Sequence, residues 1–361
     1  MDKVRVGLIT IAAIASSCFS QGAMGQKAYL QKSNDAHMKE LAQKECTDSG
    51  DVTLDYYGFM AFLITSPCGL RGMFDPWRDA QAGLYDEKTG GTTGWDKVTW
   101  MEHKFPRLLI DPKHSMVDFA VSTHAHFDHD GIYQFDSATV LDRMIGQWQF
   151  ADFKITGLSD VHSCGSDGFW PWSKTAIAWI GDETCNAKDG PTEDDNVVYY
   201  MEIGKKDPIR IVHWGDNKYE LLPQNQEFFR THPVDVLILP MDDSGHIVTP
   251  KQVPEVVRQL KPKVIIPSHY FIKGIVNPSY TVLTPDRWFI AQKHNQLTGT
   301  SHFTLSRKWL DSLKLADGEF LALYFENHVA FQIIDIPDGW EDQLKMSEDA
   351  LTKFKAANKS Q

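Results

Sequence analysis

The sequence predicts an α/β protein folded as one domain, with two sheets packed together and helices on the outside. Three observations predict this. Apolar strand runs lie towards both ends of the chain, near 58–64 and 320–325, with helical stretches between them. Hydrophobic residues make up 42% and charged residues 23% of the 361, the balance of a soluble globular protein, and 11 Trp and 20 Phe supply a core. No internal repeat or low-complexity linker divides the chain.

The elements follow in order. Residues 1–25 read as a signal peptide. Lys3 and Arg5 precede an uncharged, mostly apolar run from Val6 to Phe19, and Ala23-Met24-Gly25 places small residues where a signal peptidase reads. The run falls short of the roughly 20 residues that a membrane-spanning helix needs. The expectation is therefore an exported protein, periplasmic or secreted, with no stable span in the mature chain. Residues 26–55 read as a polar, helical lead-in, and 56–361 as the domain itself. Gly58 to Ile64 is a buried-strand run, Pro67-Cys68-Gly69 a turn, and Gly72-Met73-Phe74 the hairpin partner, ended by Asp75-Pro76-Trp77. Residues 78–112, with Trp95, Trp100 and Phe105, form either a lid or a packed surface insertion.

Val117 to Ser122 reads as a strand, and 131–147 as helical. Val197–Ile203 and Ile209–Val212 read as a strand pair, and Val234–Leu239 as a further strand. Thr249-Pro250 predicts a helix start and Lys261-Pro262 its stop, before a strand at 263–266. Strands at 320–325 and 329–334 and a terminal helix at 341–357 close the chain.

The formal net charge of −12, with no basic stripe, excludes unspecific nucleic-acid binding, which needs clustered Lys and Arg. Small molecules are the expected partners; the oligomeric state is left open. Without the signal, Cys46, Cys68, Cys164 and Cys185 remain, an even number that allows disulfides in an oxidising compartment. Their pairing is left open, and none has CxxC spacing.

The chemistry concentrates in His124-Ala125-His126-Phe127-Asp128-His129, directly after a buried strand. Imidazole nitrogen and carboxylate oxygen are the ligands zinc takes when Cys is absent. A solvated His-rich loop is the bland alternative. A tight loop at a strand end aims alternate side chains into one cleft, and such groups are costly there unless a cation satisfies them.

This HxHxDH pattern resembles the hallmark of the metallo-β-lactamase superfamily. Further segments resemble the family's pattern in order, over roughly 56–334. These are the hairpin Gly58 to Pro76, His162 in Leu158-Ser159-Asp160-Val161-His162-Ser163, His213-Trp214-Gly215-Asp216-Asn217, and Pro267-Ser268-His269-Tyr270. The resemblance implies a four-layer αββα sandwich. It implies His124, His126 and His162 on a first metal, Asp128, His129 and His269 on a second, and Asp216 as a bridge. Seven protein ligands are too many for one tetrahedral ion, so two divalent ions are expected, zinc first, with iron or manganese as alternatives.

The implied activity is hydrolysis by a hydroxide shared between the ions, with Asp128 orienting it or passing a proton. His213 is expected to support the ligands, and Asp242 and His246 either touch substrate or cap their loop. The spacing most resembles the branch that includes ascorbate-phosphate lactonase and N-acylphosphatidylethanolamine phospholipase D. The order of expected substrates is a lactone or cyclic ester, a phosphodiester, then a β-lactam. Flavodiiron oxygen reductases share the fold, but their motif has Glu where this chain has His126. A non-catalytic periplasmic metal or small-molecule binding protein on the same fold is the competing class.

Overall fold

The computed structural model describes residues 50–77, 117–124, 129–135, 139–163, 196–241, 247–270, 284–326 and 341–358. The signal, lid and 329–334 strand expectations lie outside these residues, as do His126, Asp128, Asp242 and His246 and the lead-in up to residue 49. The last part of the expected helical lead-in, 52–55, is instead the start of a strand that pairs on both edges within the first sheet.

Fourteen strands are described: β1 (Val52–Gly58), β2 (Ala61–Thr65), β3 (Arg71–Phe74), β4 (Phe119–Ser122), β5 (Thr139–Asp142), β6 (Gly146–Phe150), β7 (Phe153–Asp160), β8 (Asn196–Ile203), β9 (Ile209–His213), β10 (Val236–Pro240), β11 (Val264–Ser268), β12 (Asn295–Leu297), β13 (His302–Leu305) and β14 (Leu321–Tyr324). The described α-helices are α1 (Pro223–Thr231), α2 (Val253–Leu260), α3 (Asp286–Ala291), α4 (Arg307–Ser312) and α5 (Glu341–Asn358).

The strands form two mixed sheets, one ordered β13-β1-β2-β3-β4-β5 and one ordered β12-β14-β11-β10-β9-β8-β7-β6. Antiparallel hairpins open each sheet, and parallel strands follow where a longer crossover returns the chain. The inward faces meet in one apolar core. Phe74 packs against Phe119 on the neighbouring strand and against Phe153 and Tyr199 across the sandwich, and Trp77, Trp214 and Tyr270 are fully buried. The expected layered α/β sandwich is the observed one.

Local expectations differ in three places. The apolar run 58–64 is not one strand: Gly58 (φ +104) and Phe59 (φ +47) turn the chain between β1 and β2. Both sides of the turn are buried, so the run looks continuous in sequence. The stretch 131–147 is not a helix. A short 3-10 helix, Gly131–Gln134, gives way to β5 and β6. Pairing of Thr139 to Asp142 with β4 supplies more hydrogen bonds than an isolated turn, and Gly146 (φ +119) breaks any helix there. Helix α2 begins at Val253 rather than at Thr249-Pro250. The Thr249 hydroxyl donates to the Gln252 side chain instead of capping helix amides, and Pro254 sits in the first turn. Lys261 ends it in the left-handed region as expected.

At the end of the sandwich opposite the HxHxDH loop, Asp235 fastens α4 to the second sheet. Its oxygens accept two hydrogen bonds from Arg307, at 2.9 and 2.8 Å, and one from the Arg210 amide. Burial pushes the Asp235 carboxyl up, but the Arg307 and Arg210 hydrogen bonds outweigh it and hold it below the ordinary range. Arg307→Met should cost about 2 kcal/mol in urea unfolding at neutral pH. A depressed carboxylate stabilises above its unfolded pKa and loses that stabilisation as pH falls through its folded pKa. The gap between wild type and variant should therefore shrink in acid; a gap independent of pH would remove Asp235 as its cause.

Candidate metal centre

Five of the sequence-predicted ligands lie among the described residues, and all five converge at one end of the sandwich. Their positions follow from strand ends. His124 and His129 follow β4, His162 follows β7, Asp216 follows β9 and His269 follows β11. Strands with a common polarity deliver their following loops to one rim, where α/β folds place ligands.

The centre is a buried carboxylate ringed by imidazoles. Asp216 Oδ2 lies 3.3 Å from His269 Nε2, 3.4 Å from His129 Nε2, 3.9 Å from His162 Nε2 and 4.0 Å from His124 Nε2. The five side chains are at most 2% exposed. The rings form a continuous chain around it, His162 to His124 at 4.7 Å between centroids, His124 to His129 at 4.1 Å and His129 to His269 at 5.1 Å. Burial pushes the Asp216 carboxyl up, but positive charge at His269 and His129, carried by a proton on the ring when no cation is bound, holds it well below the usual range.

Hydrogen bonds outside this ring set the tautomers. Asp75 is fully buried and accepts from the Thr123 amide on Oδ1, and from the Thr123 hydroxyl and His129 Nδ1 on Oδ2. A carboxylate only accepts, so Nδ1 of His129 carries the proton and Nε2 presents its lone pair inward. The Thr123 hydroxyl spends its one hydrogen on Asp75, so at 3.1 Å it accepts from His124 Nδ1. His124 Nε2 then also presents a lone pair. His129 Nε2 and His269 Nε2 face each other at 3.2 Å, which demands a proton or a cation between them. Asp216 Oδ1 is buried without a hydrogen-bond partner. His124, His129 and Asp216 offer ligand atoms all within 4.8 Å of one another. This donor set fits a divalent metal: imidazole nitrogens and a charged oxygen gathered within one coordination sphere's reach.

A second network holds the loops in place. Asp160, fully buried, accepts from the Val161 and Leu222 amides and from the Asn217 and Asn225 side chains. Asn196 reaches from β8 to Asn217 Oδ1, and His162 bridges Asn217 as an isolated β-pair. Gly215 passes through φ +60, and a Cβ there would lie 2.6 Å from Asn196 Oδ1 and from Thr123 Cβ. His269 also sits at positive φ (57°), its amide donating to the Phe59 carbonyl at 2.8 Å. Backbone held in this way is over-determined by its surroundings, as at many functional sites.

Sequence reasoning placed His213 in support, and it lies buried beside the centre. Its Nε2 donates to the Met60 carbonyl at 3.0 Å, and its Nδ1 lies 3.9 Å from Asp75. Burial lowers its pKa, opposed by Asp75 and Met60, so it stays neutral. Sequence reasoning did not single out Asp75, Thr123, Asp160, Asn196 or Asn217. For Asp75 a signal existed: an acidic residue at the end of a buried hairpin strand needs a partner. The others are ordinary polar residues whose role appears only in three dimensions.

Residues 53–269 match a family model described as a beta-lactamase superfamily domain, more than half of the chain. A UPF0173 metal-dependent hydrolase of Thermococcus kodakarensis is 27% identical over 177 residues, 46% of this chain and 72% of that protein. A UPF0173 metal-dependent hydrolase of Staphylococcus carnosus is 26% identical over 165 residues, 43% of this chain and 68% of its own length. Overlap with solved structures is looser: Igni18, a metallo hydrolase of Ignicoccus hospitalis, is 18% identical with a TM-score of 0.39, over 66% of this chain and 89% of that one.

Two substitutions probe the site. Asp75→Asn turns one of two acceptor oxygens into a donor, so the Thr123 amide and His129 Nδ1 can no longer both be satisfied, and it should weaken metal affinity about 10–100-fold in a chelator competition. Unchanged affinity would show that Asp75 does not orient that ring. Gly215→Ala should cost about 1–3 kcal/mol in thermal or urea unfolding, from a strained φ and a Cβ with nowhere to go. A variant as stable as wild type would contradict the close approach. On the matched span and the convergent centre, the chain belongs to the metallo-β-lactamase superfamily, as one of its metal-dependent hydrolases.

Proposed function

We propose that this protein works outside the cytosol as a dinuclear hydrolase, with zinc as its preferred metal and a small lactone, ester or phosphodiester as its substrate. One observation carries the reading: four imidazole Nε2 atoms lie 3.3–4.0 Å from one oxygen of the buried Asp216, whose other oxygen has no hydrogen-bond partner. These separations exceed ordinary N–H···O distances, and a carboxylate among inward-facing lone pairs calls for positive charge. With Asp216 facing all four rings, His124, His126 and His162 would hold one ion and Asp128, His129 and His269 the other. The ligand set, nitrogen and oxygen without sulfur, suits zinc, with iron or manganese as alternatives.

Divalent ions bound there supply Lewis acidity and bring the pKa of water near neutrality. The chain's own residues do the rest. Asp75 and Thr123 hold His129 and His124 in the tautomers that face the centre. His213, neutral and tied to the Met60 carbonyl, takes no proton from the centre. Asp128 is the residue to which we assign handling of the proton, and no serine or cysteine nucleophile is required. Location outside the cytosol is supported by the disulfide at Cys68, since such bonds persist mainly in oxidising compartments. Among the described residues, no helix is long and apolar enough to cross a membrane.

The test joins metal analysis of the purified protein to a panel of lactones, phosphodiesters and β-lactams. The expected result is two ions per chain, turnover greatest on lactones or simple esters, and loss of turnover with a chelator, restored by zinc. Asp216→Ala should lower both metal content and turnover at least about 100-fold. Two bound ions with no turnover on any substrate would favour a binding protein on the same fold, and an Asp216→Ala protein with full metal and activity would remove the proposed bridge.

A further inference from the structure

Cys68 is disulfide-bonded, and every other cysteine of the chain lies outside the described residues. We infer that its partner is Cys46, so that the bridge staples the lead-in to the end of the sandwich remote from the metal centre. Reach decides this. Cys68 sits in the turn between β2 and β3. There its amide donates to buried Asp152, which also accepts from the Ser66 hydroxyl at 2.6 Å. Antiparallel register pairs Thr53 with Thr65 and carries the chain before β1 to the same turn. Gly50 lies against Pro67, close enough that a Cβ on it would stand 2.2 Å from the proline Cβ. From Gly50 the chain back to Cys46 spans at most about 14 Å, ample for the 4.4–6.8 Å Cα separation, roughly, of a disulfide.

The other cysteines are placed badly. Asp152, beside Cys68, precedes β7, and β7 runs about 23 Å to Asp160 at the usual rise per residue. Cys164 adjoins Ser163, whose amide donates to the Asp216 carbonyl at the opposite end. It therefore lies several times too far from Cys68. Cys185 is tethered to Asn196, which pairs with Asp160 at that same opposite end. Its tether reaches Cys68 only by running most of the sheet's length. A Cys46–Cys68 loop is also about fivefold shorter than a Cys68–Cys185 loop, which makes closure about 12-fold more probable.

The bond forms by thiol–disulfide exchange. A protein disulfide oxidant of the exporting route accepts the two electrons and two protons of the Cys46 and Cys68 thiols, and leaves as a dithiol. The staple then fixes the chain entering β1, and through the β1–β2–β3 meander it supports Phe59 and Asp75 at the metal end.

Peptide mapping of the full chain under non-reducing conditions, with free thiols blocked at lysis, tests this. Trypsin leaves both cysteines within Glu45–Arg71, so cleavage must fall between them, for example by chymotrypsin at Tyr56 or Tyr57. The expected product is a linked pair carrying Cys46 and Cys68. A second measurement avoids reliance on mapping: because Cys68 is 1% exposed, the non-reduced protein is unfolded in denaturant first, where Cys68 should react with a maleimide in Cys46→Ser and stay blocked in Cys185→Ser. A Cys68 peptide linked to Cys185 or Cys164, a link between two chains, or a Cys68 that stays blocked in Cys46→Ser would each overturn the assignment.

Discussion

A single buried carboxylate organises this molecule's active end. Asp216 is 1% exposed and faces four imidazoles, an arrangement that a protein interior tolerates only if charge is balanced there. Everything around it serves to hold that balance. Asp75 and Thr123 turn two rings inward, the Asp160–Asn217–Asn196 chain pins the loops of His162 and Asp216, and Gly215 lets the latter pass close to Thr123. The ligands are held by second partners, which is how a metal site obtains fixed geometry from flexible side chains.

The two ends of the sandwich divide their work. The strand ends that carry the ligand loops are rich in buried polar contacts, with Asp75, Asp160, Asn196 and Asn217 all at most 1% exposed. The remote end carries ordinary stabilising features: the Arg307–Asp235 pair, the Ser66–Asp152 contact, and the disulfide at Cys68. The core between the two ends is continuous and aromatic, from Tyr56 and Phe62 through Phe74 to Phe153, so polar groups buried at the metal end are held by a rigid, close-packed interior.

Legibility from sequence tracked locality. The HxHxDH segment was readable because its chemistry-bearing residues are neighbours in the chain, and the later ligands were readable through a family resemblance rather than through periodicity. Strands β8 to β11 were readable because their apolar runs are bounded by turn residues. The 131–147 stretch misled because its preference is weak and its fate depends on β4 lying beside it. Asp75 was passed over because a lone acidic residue after a strand has no meaning until the ring it orients is seen.

The amino-acid sequence by itself determined the two-sheet α/β class, the metal-ligand chemistry and the superfamily, because apolar patterning and clustered ligand types are properties of short segments. Tertiary structure alone decided which tautomers His124 and His129 adopt, that Asp160 clamps two loops, and that a seemingly continuous run bends at Phe59. Those outcomes depend on contacts between residues far apart in the chain, such as Asp75 with His129 and Phe59 with His269, and no local pattern encodes a contact whose partner lies on another strand.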